Sequence, residues 1–329
     1  MKPEKKSIIN SLNNVVKKYF ILISILSALL ALALGNVLVL DKTLTSNLVV
    51  FCAILTIYPS MIQLKMEGLL KSVKQLRQIA LSIFYVFIVS PALAFLIAPH
   101  LGNPTIGVGY VMANVVPASS ASLGYVLIAG GSIELATILA VLTLFIGIPV
   151  VPFLIRLYSG SVSIPVPIEP IITSLIEVLL LPLIVGQLTR YLIIKSKGLP
   201  YVEKTIKPHL SLATMLALAA LIFVLMLNQA RGVAKNPAIA ILIIFYQSIV
   251  IAALLLVSLL IDKFFKISYE DHQALSLISM TKNQSVAAAM AVSTLGPQSA
   301  LAPALLPMLQ SIIAIAYLSL EGWIKRFLG

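Results

Sequence analysis

The sequence predicts an all-α polytopic membrane protein, and three observations carry that prediction. Hydrophobic residues make up 60% of the 329-residue chain and charged residues 10%, against roughly 25% charge in a soluble domain. Mean hydropathy is +1.07. The apolar residues fall into runs of about membrane-spanning length, and most Lys and Arg sit between them. The detailed expectation is ten transmembrane helices, arranged as two inverted five-helix repeats whose broken helices four and nine cross at the midplane.

Residues 1–18 carry Lys2, Lys5, Lys6, Lys17 and Lys18 and read as a cytoplasmic N-terminal segment. Residues 19–324 read as a single transmembrane domain, with repeat one at about 19–155 and repeat two at about 171–324. An uncharged stretch from Tyr19 to Leu40 is too long for a signal-peptide core and predicts a retained first helix. A second, shorter run spans Leu48–Ile62 and contains Pro59. Residues 63–78 are basic and amphipathic, as a helix lying on the cytoplasmic surface would be. Helix three is expected from Ile79 to Pro99, and helix four from Thr105, broken at Pro117-Ala118-Ser119-Ser120-Ala121-Ser122 and resumed to the Gly130-Gly131-Ser132 turn. Helix five is expected at Ile133–Ile155, followed by a proline-rich loop that marks the seam between halves. Helices six, seven and eight fall near 171–194, 210–228 and 237–261. Helix nine is broken around Lys282, and helix ten spans Ser299–Leu320 with Pro303 and Pro307.

Orientation follows from the basic residues. With the N-terminus inside, 18 of the 23 Lys and Arg lie in cytoplasmic segments and 4 outside, the remaining one being Lys282. The positive-inside rule then puts both termini in the cytoplasm, in a multi-pass protein of the cell membrane.

The run Ser279-Met280-Thr281-Lys282-Asn283-Gln284-Ser285 is the polar centre of the chain. Lys282 lies about nine residues, or roughly 13 Å, from the charged end near Asp271, close to the middle of a ~30 Å hydrocarbon core. A lysine there costs roughly 3 kcal/mol or more and normally faces a cavity; the alternative is a stem that snorkels to the interface. The breaks at Ala118 and Lys282 lie about half the chain apart, each in the fourth helix of a five-helix set. Matched discontinuous helices in inverted halves are the pattern of a secondary transporter. Ser119, Ser120 and Ser122 are candidate cavity-lining groups, and Thr281, Lys282, Asn283, Gln284 and Ser285 complete the candidate solute or ion site. Glu177, within helix six, is a candidate proton relay or an interfacial acid. Glu134, in the first turn of helix five, complements the positive helix end.

Other chemistry is absent from the pattern. The single cysteine, Cys52, gives no disulfide frame and no thiolate metal site, and no cofactor motif or nucleophile set appears. His100, His209 and His272 fall far apart, at positions read as loops, without metal-ligand spacing. The +12 charge is scattered and lacks interleaved aromatics, so it indicates membrane anchoring rather than nucleic acid.

The segments PASSASLGYVLIAGGSIELATILAVLTLFIGIPVVPFL, LPLIVGQLTR and TKNQSVAAAMAVSTLGPQSAL resemble, in order, the helix-four to helix-five, helix-six and helix-nine regions of the bile acid:sodium symporter superfamily. The superfamily includes the arsenite-efflux carriers. The resemblance implies a core and a panel group of helices that move against one another. Several sodium-ligand positions of the sodium-coupled members fall here on Leu123, Ala136, Ala140 and Val86, and their helix-nine Glu and Gln on Ser279 and Asn283. A hard cation needs oxygen ligands that Leu, Ala and Val do not supply. The arsenite carriers' cysteine falls on Ala118 and their helix-nine acid on Ser285. The sequence therefore predicts a carrier of a small anionic solute, coupled to a proton or to no ion rather than to sodium, with Lys282 standing in for the cation. An arsenite or metalloid exporter is the alternative, and a non-transporting receptor or structural membrane protein the alternative of another class. Solute, direction and oligomeric state are not encoded in any motif.

Overall fold

The structure, a computed structural model, describes residues 8–329 apart from 36, 39 and 67–74. The described residues form helices joined by short connections, with no strand among them. In chain order the helices are α1 (Ile8–Lys18), α2 (Phe20–Leu34), α3 (Lys42–Gln63), α4 (Leu76–Leu101), α5 (Pro104–Val115), α6 (Ser122–Ile128) and α7 (Ile133–Ser161). Then come α8 (Ile168–Lys197), α9 (Leu199–Lys235), α10 (Pro237–Phe264), α11 (Tyr269–Met280), α12 (Gln284–Leu295), α13 (Pro297–Leu318) and α14 (Glu321–Leu328).

Seven of these, α3, α4, α7, α8, α9, α10 and α13, are long and apolar enough to cross a membrane. The bent pair α1–α2, with 67° between its arms, raises the number to eight if it is one span. The protein is therefore a multi-pass membrane protein. The expected ten arise only if α5–α6 and α11–α12 are each counted as a broken span. The expected 22-residue first helix is not continuous. Helix α2 stops at Leu34, where Gly35 N–H closes on Ala31 O, and 15 residues reach only about 22 Å. Part of the expected cytoplasmic N-terminal segment is helical, as α1. The proposed surface helix at 63–78 falls largely on residues outside the described set; Leu64–Met66 are not helical, and α4 begins at Leu76.

Caps set several boundaries. Asp41, Asn103, Ser132 and Ser268 each accept a backbone N–H in the first turn of α3, α5, α7 and α11. Helix α3 runs through Pro59, and α7 through Pro149 and Pro152, past the expected end at Ile155. Three π-helical turns, Tyr85–Val89, Ile176–Leu180 and Val202–Ile206, each stop two residues before a proline: Pro91, Pro182 and Pro208. Proline lacks an N–H and crowds the carbonyl four residues back, and the wider turn relieves that crowding.

Two sets of helix contacts stand out, joined by α13 on α9 and α2, by α10 on α9 and by α7 on α8. Helix α3 lies against α8 and α9, and α9 against α1 and α2. The other group holds α4, α5, α6, α7, α10, α11 and α13, with α10 against α11, α11 against α6 and α7, and α13 against α5 and α10. Helix α12 contacts α5 of this group and also α3 and α8 of the first. Close approach at the centre depends on Gly109 of α5: a Cβ there would fall inside the Ser299 carbonyl at the start of α13. Gly109→Leu is expected to cost about 3 kcal/mol or to prevent folding, because backbone cannot move aside as a side chain can. Size-exclusion profiles and thermal unfolding of the detergent-solubilised variant check this. A variant as stable as the parent would show that the two segments separate freely.

Candidate functional site

The centre of the molecule is the point where the two interrupted helices meet. Helix α5 ends at Val115, and Val116 turns extended (φ −62°, ψ 153°), since Pro117 has no N–H with which to continue the ladder. Helix α11 ends at Met280, Thr281 is extended (φ −96°, ψ 92°), and Asn283 caps α12 by accepting Val286 N–H at 3.4 Å. Ala118 and Lys282 then face each other in an isolated antiparallel bridge. Ser119 N–H donates to Thr281 O at 2.8 Å, and Asn283 N–H to Pro117 O at 2.9 Å. The two breaks thus satisfy part of each other's freed backbone.

Side chains of the polar run supply further donors. The carbonyl of Ala113 would accept in a helix from residue 117, which is proline; Gln284 Nε2 donates to it instead, at 3.0 Å. Ser90 Oγ donates to Asn114 O at 3.0 Å, and the Asn114 and Gln247 side-chain amides donate to each other at 3.0 and 2.9 Å. With its amide oriented to match its neighbours, Gln310 donates to Lys282 O and accepts from Gln284 Nε2 at 2.9 Å.

Lys282 is 2% exposed, and its ammonium donates to Val86 O at 2.9 Å. The sequence expectation aimed this charge at the carbonyl ends of the broken helices. The structure turns it to α4, because two of those carbonyls, of Pro117 and Thr281, are already paired across the bridge. Val86 O is open for a definite reason. In the π turn Ser90 N–H donates to Tyr85 O, and the next residue, Pro91, has no N–H to give.

The remaining candidates divide. Thr281, Asn283, Gln284 and Ser285 are buried at the crossing. Thr281 Oγ1 has no hydrogen-bond partner among the described residues. Ser122 is fully buried and donates to Ser119 O at 2.5 Å, whereas Ser119 and Ser120 are half-buried on the more open side. Glu177 is exposed in the π turn of α8 and is not gathered into the buried crossing. The apolar replacements Val86, Ala136 and Ala140 are buried, and Cys52 is buried on α3.

Sequence reasoning missed one constellation. The three histidines lie in helical turns rather than loops, and His272, in α11, is buried. Its Nδ1 is 2.6 Å from Asp262 Oδ2 and its Nε2 2.7 Å from Tyr317 OH. Tyr85 OH donates to Asp262 Oδ1 at 2.7 Å. Ser276 Oγ is 3.3 Å from the ring and 2.9 Å from Ser258 Oγ. Asp262 and His272 flank a short interhelical connection, where charged residues read as a solvated loop edge; only the tertiary packing of α4 and α13 over them makes them buried.

Two comparisons bear on this arrangement. The sequence model of the Sodium Bile acid symporter family matches residues 50–236, more than half of the chain. An "Uncharacterized transporter slr0944" of Synechocystis sp. is 24% identical over 320 residues, covering 87% of this chain and 82% of the relative.

The crossing predicts its own energetics. Gln284→Leu removes the donor to Ala113 O, and an unpaired buried carbonyl costs about 1–3 kcal/mol. Thermal unfolding in detergent should register that loss. Unchanged stability would mean that Ala113 O finds another donor.

Proposed function

Because this chain belongs to the Sodium Bile acid symporter family and is a transporter of that type, we propose that it moves a small anionic solute by alternating access, with Lys282 in place of the coupling cation. The observation that carries this reading is the burial of a single ammonium at the crossing of the two broken helices. A buried Lys supplies one positive charge and three donors, of which Val86 O takes one. In this reading the others bind a carboxylate, sulfonate or similar anion once the site opens, and the half-buried Ser119 and Ser120 mark the side of entry. Thr281 Oγ1 and Ser285 lie on the same segment and offer neutral hydrogen bonds.

In this reading α5–α6 and α11–α12 are spans four and nine of ten, in two inverted repeats at about 19–155 and 171–324, with both termini cytoplasmic. The group containing the crossing moves against the group built on α3, α8 and α9. Sodium is not the coupling ion, since Leu123, Ala136, Ala140 and the Val86 side chain offer no oxygen. Transport is coupled to protons or to none.

Two measurements test this. A thermal-shift screen of the purified protein against small organic anions is expected to raise the melting point with concentration, by the equivalent of about 2.7 kcal/mol at a hundred times Kd. The shift should be the same in sodium and choline buffers and absent in Lys282→Ala. Stabilisation that requires sodium would sink the proposed role of Lys282. Lys282→Arg should restore it only in part, since a planar guanidinium does not mimic a compact ammonium. The second measurement is proteoliposome uptake of whichever anion binds. Ser122 is too deeply buried to accept a large side chain, so the steric probe belongs at Ser120. Ser120→Trp is expected to remain folded and to lose at least tenfold in rate, and normal uptake would place the permeation path elsewhere.

A further inference from the structure

The Asp262–His272 pair is built like a proton-binding site. With Asp262 as the carboxylate, which only accepts, the short contact to its Oδ2 puts a proton on His272 Nδ1. The other ring nitrogen faces a hydroxyl, Tyr317 OH, at 2.7 Å. In the neutral ring Nε2 accepts the Tyr317 proton; in the imidazolium Nε2–H donates to the Tyr317 oxygen. Passing between these states needs one proton on Nε2 and a rotation of the Tyr317 O–H bond, and it changes the charge of the pair by one. Asp262 keeps both oxygens satisfied throughout, by His272 and by Tyr85 OH.

The same network touches the lysine site through two consecutive residues. Tyr85 holds Asp262 and Val86 holds Lys282, and both belong to the π-helical turn Tyr85–Val89. A buried carboxylate, held by the Tyr85 side chain, and a buried ammonium, held by the Val86 carbonyl, are thus attached to consecutive residues. With His272 neutral the Asp262 pair carries one negative charge; with a proton added it carries none. A π turn is an inserted register of the helix and recurs at functional sites.

Tyr85 and Tyr317 are the titratable groups that contact the pair. On the surrounding elements Arg77 of α4 lies over the Phe265 ring, Lys263 of α10 over Phe327, and Lys325 of α14 bonds Glu321. Asp271 of α11 accepts from Gln78, Tyr269 donates to Ala129 O, and Tyr125 of α6 to Ser311. Glu134 and Glu270 sit in the first turns of α7 and α11.

We propose that Asp262 and His272 form the binding site of the coupling proton, and that the π turn carrying Tyr85 and Val86 transmits its occupancy to Lys282. The second half rests on the reading of Lys282 as the solute site; the first half does not.

The test follows the proton itself. The full chain with His100→Gln and His209→Gln keeps His272 as its single histidine. Histidine-selective 15N NMR of this protein in lipid nanodiscs, scanned from about pH 5 to about pH 9, reads ring protonation directly. A reversible titration of His272 is expected, abolished over that range by Asp262→Asn. Tyr317→Phe, which leaves Nε2 only the longer contact to Ser276 Oγ at 3.4 Å, should move the midpoint by roughly half a unit or more. Lys282→Ala should also move it, through linkage. A His272 ring fixed in one state across the range in folded protein, or a midpoint indifferent to Tyr317→Phe, overturns the proton site. A titration indifferent to Lys282→Ala overturns the link. Failure of anion binding at Lys282 leaves the titration itself unaltered, so the two readings fail separately.

Discussion

The organisation of this protein depends on two missing N–H groups. Pro117 and Pro91 each end a stretch of regular hydrogen bonding inside a helix, and a freed carbonyl in an apolar interior must find a donor. Here the donors come from one short polar run. Gln284 serves Ala113 O, Asn283 N–H serves Pro117 O, and the Lys282 ammonium serves Val86 O. The polar residues that look extravagant inside an apolar helix are the complement of prolines on two other helices. Gly109, pressed against Ser299, brings α5 and the start of α13 close enough for the arrangement to close.

The bridge between Ala118 and Lys282 has a mechanical effect. Two backbone hydrogen bonds join the breaks, so α5–α6 and α11–α12 shift together or lose both bonds at once. The small residues of α12, with Ala287, Ala288, Ala289 and Ala291 all buried, let this helix lie close to its neighbours on several sides.

Much of this was legible in the sequence. Composition gave the membrane class, and the breaks at Pro117 and Lys282 showed as polar interruptions in apolar runs. Burial of Lys282 and its neighbours followed from the expense of exposing them to lipid. Three kinds of feature were not legible. The first helix was overextended because hydropathy does not register the stop at Gly35. The destination of the Lys282 ammonium depends on which carbonyl is free, and Val86 O is freed by a register change that no local propensity announces. The Asp262–His272 pair joins two helix ends through partners on α4 and α13, distant in sequence, so a residue-by-residue reading saw only charged positions beside a turn.

The π turns carry one more consequence. Each contains a surplus residue, and one residue of α-helix corresponds to about 100° of rotation. The side chains of α4 before Tyr85 and after Val89 are therefore out of phase by more than a quarter turn relative to an unbroken helix. The same holds in α8 around Ile176–Leu180 and in α9 around Val202–Ile206. A helical wheel drawn through any of the three segments assigns the residues beyond the turn to the wrong face. Comparison of this chain with relatives that lack a surplus residue will slip by one position at the same points unless a gap is placed at each proline.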